Sequence, residues 1–388
     1  MLCGNIFQNY CRIGSELLNM EEKLFEILRG ELWGTKLSFS ELSHEDYIEL
    51  IEMANKQTVT GLVGDCLIKN GVKLEREDAL GLFAKMKAIE KTNTRVNENL
   101  VSFVNFMERK GIDYIIVKGQ VVGSLYPNPN SRMSGDVDLY FVGDNYTKIK
   151  NMVEQRMGKQ LSKLSDGKHV EFEVNGVVFE LHNKLSQLAT KKHQDYWNQM
   201  IDNAIQEKTD TVSILGKDIH TLSATYNVLY IFVHLFFHMT ASGLGLRQIC
   251  DWAIVLNKVS DNIDNFKLKE ILKELGYYKA YKAIGAFVVN YLGLQEDKFP
   301  LLLTEKDRKW VETVKNNILK SGNFGRSRRK VKSIGLLHSI ESGWLILTQM
   351  LTFYRLAPKE VLFRFSSIGE WFLERFKIKG SRTPATLS

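Results

Sequence analysis

The sequence predicts an α+β protein in which a compact unit of strands and helices lies between two helical units. Apolar residues recur at helical spacing from residue 20 to about 99, and again from about 215 to 380. Between these regions, short β-branched runs alternate with turn-forming residues. Two of these runs are joined by Asn175–Gly176, the two-residue turn most typical of a β-hairpin. Helical flanks and a strand-containing centre together define the fold class.

Each element follows from its local pattern. The helical run that opens with "EEKLFEILRGELWG" continues to Gly111, where glycine favours the end of a helix. The centre then reads as the strand "IDYIIVKG", the brief helix "VVGSLY", the turn-dense loop "PNPNSRMSG", the strand "DVDLYFV", the helix "DNYTKIKNMVEQRMG" and the hairpin "HVEFEVNGVVFELH". A polar stretch that includes "KKHQDYWNQMIDNAIQEKTD" is expected to lead into the second helical unit.

These patterns divide the 388-residue chain, which is longer than a single hydrophobic core usually requires. We expect an N-terminal helical unit, the α/β core, a C-terminal helical domain and, at the two ends, a dispensable extension and a disordered tail. The expected units are the extension (1–19), the N-terminal helical unit (20–99), the α/β core (100–190), the C-terminal helical domain (205–380) and the tail (381–388).

The amino-acid composition indicates which partners and which cellular compartment to expect. Lysine and arginine outnumber acidic residues by 52 to 45, a formal charge of +7 that favours anionic partners such as phosphates but does not by itself establish nucleic-acid binding. The four cysteines form no CxxC pair, which is typical of a reducing compartment. No apolar run reaches the roughly 18 residues that a membrane-spanning helix needs, and the start lacks a secretory pattern. A cytoplasmic protein without a transmembrane segment is therefore expected.

Two aspartates interrupt an apolar strand. Asp136 and Asp138 are two residues apart, so in a strand they face the same side while Val137, Leu139 and Phe141 face the other. Their mutual repulsion is unfavourable unless a cation lies between them, and oxygen ligands suit Mg²⁺ or Mn²⁺. The simpler alternative is a turn cap at Asp136 and a solvated sheet face.

Glu180 strengthens the metal hypothesis. It lies on the second hairpin strand, in "VVFELH", where it shares a face with Val178 and His182. Three carboxylates on adjacent strands can hold two metal ions, an arrangement that serves phosphoryl or nucleotidyl transfer. For the neighbouring His182, substrate orientation and a purely structural role are equally compatible with the pattern.

The loop before the aspartates has features of a phosphate site. "VKGQ" ends one strand and opens a helix, whose first amides favour an anion, and Gly119 would let a phosphate approach the backbone. Lys118 and Arg132 flank this turn and could neutralise a triphosphate. The alternative is a simple turn at Gly119 and a solvated Arg132.

These residues resemble the polymerase-beta-type nucleotidyltransferase superfamily, and within it an uncharacterised nucleotidyltransferase family that is common in bacteria. The resemblance covers residues 113–182 through a strand ending in Lys-Gly, an R-x-x-x-D-x-D-L motif and a later E-L-H strand. It implies a mixed sheet, a turn glycine at Gly119 that holds the triphosphate of an NTP, and two Mg²⁺ ions bound by Asp136, Asp138 and Glu180. The segment "HLFFHMTASGLGLRQICDWA" resembles the helices that follow the core in that family.

The turn departs from the superfamily pattern, which usually reads Gly-Gly or Gly-Ser. Gln120 stands where the phosphate-binding serine is expected, so Ser124, Lys118 or Arg132 would have to replace it. The activity implied is transfer of a nucleoside monophosphate to the hydroxyl of a small molecule, RNA or protein, with Glu180 assisting proton removal.

Two other functions fit parts of the pattern. A DxD glycosyltransferase would use Mn²⁺ and a nucleotide-sugar, but the helical pattern before residue 111 is unlike the Rossmann-type region that such an enzyme needs. A catalytically silent nucleotide-binding protein would keep the fold, but its turn at Gln120 would no longer bind the triphosphate tightly.

Three further features have mainly structural explanations. His234 and His238 are four residues apart on an apolar helix and suit a partly buried pair as well as a metal site. Arg247 and Asp251 have the spacing of an intrahelical ion pair, and that role or a hinge suits them better than catalysis. The basic stretch Gly322–Lys332 suits a solvated loop or an anionic acceptor.

Overall fold

The structure is a computed structural model that describes residues 20–161, 169–241, 243–322 and 336–362. The predicted extension at 1–19, the predicted tail at 381–388 and nearly all of the basic stretch after Gly322 lie outside these residues. The described part is an α+β fold, as the sequence predicts. None of its helices has both the length and the apolar character needed to cross a bilayer.

The described residues of the N-terminal region form four helices. Helix α2 begins after Ser43, whose hydroxyl accepts a hydrogen bond from the Asp46 amide and so caps the helix. Helix α4 is 34 residues long and passes without a break through the predicted boundary at residue 99, so one helix serves both the N-terminal region and the α/β core. The four helices are α1 (20–33), α2 (His44–Gln57), α3 (Thr60–Lys69) and α4 (Arg76–Arg109).

The core is a four-stranded mixed sheet in the described residues, built from β1 (Ile115–Val117), β2 (Val137–Tyr140), β3 (His169–Val174) and β4 (Val177–His182) in the strand order β1-β2-β4-β3. Strands β2 and β4 are parallel, and the two outer pairs are antiparallel. The predicted hairpin is confirmed: β3 and β4 pair around Asn175 and Gly176, which both have positive φ, as the turn requires. The core also contains the helices α5 (Gly119–Gly123) and α6 (Asn145–Met157).

The C-terminal region is mainly helical but starts differently from the prediction. The expected polar stretch forms helix α7 and buries one narrow face that includes Trp197 and Ile201. A second hairpin, which the sequence analysis did not anticipate, turns at Leu215–Gly216. The elements are α7 (Lys191–Glu207), β5 (Thr209–Ile214), β6 (Lys217–Leu222), α8 (Ala224–Thr240), α9 (Leu246–Val259), α10 (Asn265–Glu274), α11 (Tyr278–Leu292), α12 (Glu305–Arg308), α13 (Val311–Ser321) and α14 (Leu336–Phe353), followed by a helical turn at 358–362.

Two hydrophobic cores lie on opposite faces of the sheet. One packs Ile116 and Leu139 against α4 and α6. The other joins the N-terminal and C-terminal helices into a single cluster, in which the rings of Phe25 and Phe287 are 6.1 Å apart, and it also receives Val117 and Tyr140 from the sheet. The sheet face that carries Asp138 is therefore turned toward α8 and α9.

Candidate active site

Three carboxylates meet where β2 and β4 run side by side. Asp138 and Glu180 are direct partners in the parallel register, and Asp136 lies just before β2. One oxygen atom from each of the three lies within 4.8 Å of the others. The structure thus brings the three predicted metal ligands together, whereas their role as ligands stays a prediction.

The alternating sequence of β2 explains this placement. Val137, Leu139 and Phe141 are buried in the core beneath the sheet, as the alternation predicts. Asp138 therefore faces the helices, where only 3% of its surface is exposed. Asp136 is exposed, so the two aspartates form the inner and outer edges of one acidic group.

Lys118 is the main counter-charge of Asp138. Its Nζ lies 2.9 Å from Asp138 Oδ1 and 3.5 Å from Nδ1 of His234. Burial disfavours both charged forms, but the ion pair outweighs it, so the pKa of Lys118 is raised and the pKa of Asp138 is lowered from their usual values. Both groups are therefore ionised at neutral pH.

His182 connects Asp138 to Glu180. Its Nε2 lies 3.1 Å from Asp138 Oδ1 and 2.9 Å from Glu180 Oε2. Burial lowers the pKa of His182, but its two carboxylate neighbours exceed that effect and raise it overall. Burial is also the main cause that raises the pKa of Glu180 to about 7, with the charges of Asp138 and Asp136 adding to it.

The glycine turn approaches the aspartates closely. Gly119 has φ +42°, and a Cβ atom there would lie 3.3 Å from the carbonyl oxygen of Asp136. A side chain at this position would be strained and would crowd the start of β2. Gly119 and Lys118 both line the cavity above the carboxylates.

Two of the predicted phosphate ligands are held away from this cavity. Gln120 is buried, donates to Asn97 and accepts a hydrogen bond from Ser134 at 3.1 Å. Ser124 donates its hydroxyl to the Val121 carbonyl at 2.7 Å, as side chains near helix ends often do. Neither residue is among those that line the cavity.

Arg132 reaches the cavity but is largely committed to a buried ion pair. Its Nε and Nη2 contact Asp251 at 2.7 and 2.8 Å, and Tyr126 donates to the same carboxylate. Arg132 is therefore the ion-pair partner of Asp251, in place of the predicted Arg247. Arg247 instead donates a hydrogen bond to the Met133 carbonyl. The remaining nitrogen of Arg132, Nη1, is buried without a hydrogen-bond partner and stays available to an anion.

The cavity has a volume of about 290 Å³ and lies between the sheet and α8 and α9. Its walls include His234, His238 and Arg247, for which the sequence analysis favoured structural roles, and Tyr230, which it did not single out. Burial and the charge of Lys118 lower the pKa of His234 well below its usual value, so its imidazole is neutral. The four-residue spacing of His234 and His238 predicts that both lie on one face of a helix. It does not predict that this face lines the cavity.

No curated protein matches the chain. One similar solved structure is described as an antigenic nucleotidyltransferase-like protein from Paracoccidioides brasiliensis; it is 15% identical, covers 52% of this chain and 92% of its own, and has a TM-score of 0.31. A protein family described as "uncharacterised nucleotidyltransferase" matches residues 43–293, which include the sheet, the carboxylates and helices α8 and α9. The chain therefore belongs to this nucleotidyltransferase family.

Proposed function

We propose that the protein is a metal-dependent nucleotidyltransferase, which moves a nucleoside monophosphate from an NTP to a hydroxyl group and releases pyrophosphate. The observation that carries the proposal is the convergence of Asp136, Asp138 and Glu180 within 4.8 Å beside a cavity. Membership of a nucleotidyltransferase family supports the same reaction class.

The donor set fits a hard divalent cation. Asp136, Asp138 and Glu180 offer oxygen atoms alone, and Lys118 balances only one of their three potential negative charges. These residues would hold Mg²⁺ or Mn²⁺. When bound, the metal would act as a Lewis acid that stabilises negative charge on the phosphate oxygens.

The cationic side of the cavity would receive the triphosphate. Lys118 and Arg132 line it, and the free Nη1 of Arg132 adds a charged donor in a buried setting, where such hydrogen bonds are strong. Gly119 leaves the backbone open to a phosphate. We assign Gln120 and Ser124 to supporting this turn, because their side chains bond to the protein rather than to the cavity.

The reaction forms one P–O bond and breaks another. The acceptor oxygen attacks the α-phosphorus, the bond from the α-phosphorus to the oxygen that bridges to the β-phosphate breaks, and pyrophosphate leaves with that oxygen. The acceptor proton passes to Glu180, the carboxylate that we assign to assist proton removal.

The test is incubation of the protein with each α-labelled NTP and a cell extract, with separation of labelled RNA, protein and small molecules. The expected result is label on one class of acceptor, and a loss of more than about 100-fold in Asp136→Asn, where a metal ligand is removed. Glu173→Gln, on the exposed face of β3, is the matched control and should transfer normally.

Two outcomes would contradict the proposal. Transfer of sugar from a UDP-sugar without NTP turnover would identify a glycosyltransferase. Metal-dependent NTP binding in calorimetry, with no labelled product under any condition, would identify a silent nucleotide-binding protein.

A further inference from the structure

A second group of potential metal ligands lies beside the carboxylates. His169 on β3 and His182 on β4 are direct partners across the antiparallel pair, and their ring centres are 4.7 Å apart. Both Nε2 atoms approach the same oxygen of Glu180, at 3.5 Å for His169 and 2.9 Å for His182. The sequence analysis placed no ligand on β3.

These separations match the spacing of ligands around one metal ion. With metal–ligand bonds of about 2.1 Å, neighbouring ligand atoms lie about 3.4 Å apart in a tetrahedral site and about 3.0 Å apart in an octahedral site. The two contacts to Glu180 Oε2 lie close to these values.

The position of the group also favours binding. Paired strands fix the backbones of His169, Glu180 and His182, so the ligands need little rearrangement. Only 11% of the His169 side chain and 7% of the His182 side chain are exposed, which limits competition from water. The group also borders the cavity, which gives an ion a route of entry.

We propose that His169, Glu180 and His182 bind a transition-metal ion of the Zn²⁺, Co²⁺ or Mn²⁺ type, at a site distinct from the oxygen-only group of Asp136, Asp138 and Glu180. Imidazole nitrogen suits these ions, whereas Mg²⁺ strongly prefers oxygen ligands. Glu180 belongs to both groups and would bridge the two ions. The site does not depend on nucleotide transfer.

The test uses Co²⁺ as the probe, added to metal-free protein in the presence of excess Mg²⁺, which should occupy the oxygen-only group. We expect one equivalent of bound Co²⁺, seen by its visible absorption and by calorimetry, and its displacement by Zn²⁺. His169→Ala should weaken Co²⁺ binding by more than about tenfold, because it removes a ligand. His169→Gln, which keeps a polar side chain, should do the same, and circular dichroism should show that both variants fold.

Two controls separate this site from the proposed active site. Glu173→Ala, on the same strand but outside the group, should leave Co²⁺ affinity unchanged. Asp136→Asn should lower transfer by more than about 100-fold and yet keep Co²⁺ affinity within about threefold, because Asp136 contributes no ligand here. Unchanged Co²⁺ affinity in both folded His169 variants, full displacement by Mg²⁺, or absence of Co²⁺ binding would overturn the proposal.

Discussion

Asp136 and Asp138 belong to one acidic group but differ in their surroundings. Asp138 is buried and bonded to both Lys118 and His182, whereas Asp136 is exposed at the cavity edge. A buried ion pair that loses one partner leaves the other charge desolvated and uncompensated. The inner aspartate is therefore important for stability as well as for the proposed chemistry.

We predict that Asp138→Asn lowers the free energy of unfolding by about 3 kcal/mol, because Lys118 keeps its buried charge without a counter-ion. Asp136→Asn should change it by less than about 0.5 kcal/mol, as is usual for exposed positions. Urea denaturation of both variants measures the difference. Equal losses of stability would show that the Lys118–Asp138 pair does not have the strength that its burial suggests.

The loop between α5 and β2 depends on helices far from it in the chain. The Asn93 side chain on α4 donates to the carbonyls of Asn130 and Arg132, each at 2.9 Å. On α3, Gly61 packs so closely on the loop that an added Cβ would lie 1.9 Å from the Ser131 carbonyl oxygen. These contacts hold Arg132 in place beneath the cavity.

We predict that Gly61→Ala destabilises the protein by more than about 2 kcal/mol, because its methyl group would push the Ser131 backbone out of position. Gly81→Ala is the matched control: Gly81 lies in the exposed part of α4 with open space around it, so alanine should raise stability by about 0.5–1 kcal/mol. Thermal unfolding compares the two. A stabilising effect at Gly61 would mean that the loop is not held against α3.

At the scale of the whole molecule, a buried polar cluster joins α1, α3 and the same loop. Glu31 of α1 is 2% exposed, accepts a hydrogen bond from Ser131 at 3.1 Å and lies 3.4 Å from Nζ of Lys69. Burial, reinforced by the nearby charge of Asp65, raises the pKa of Glu31 from 4.5 to about 8. The folded protein therefore holds a proton here that the unfolded chain releases at much lower pH.

This shift predicts how stability depends on pH. Between about pH 4.5 and pH 8 the folded state binds the additional proton, so the free energy of unfolding falls as the pH rises, by up to about 1.4 kcal/mol per unit. The stabilisation that this additional proton provides is complete below about pH 4.5 and lost above about pH 8. In Glu31→Gln, which is neutral at every pH, the fall should be smaller. Parallel profiles of wild type and variant in urea denaturation would contradict the assignment.

Local sequence patterns predicted much of the fold and the acidic half of the site. Strict alternation in "DVDLYF" placed Asp138 opposite Leu139, and Asn175–Gly176 set the hairpin that carries Glu180. The same reasoning missed α7, whose buried face is narrow, and the hairpin at Leu215–Gly216, which has a weaker turn signal than Asn-Gly. Where local sequence signals are weak, tertiary packing determines which secondary structure a segment adopts.

By itself, the sequence determined that an acidic strand, a glycine turn and a second acidic strand lie in one α/β core, because strand period and turn chemistry act over a few residues. Only the tertiary structure decided the partners of these residues. Arg132 bonds Asp251, 119 positions away, Lys118 meets His234, and His169 faces His182 across a sheet. Such contacts depend on how distant segments pack, and no local period encodes them.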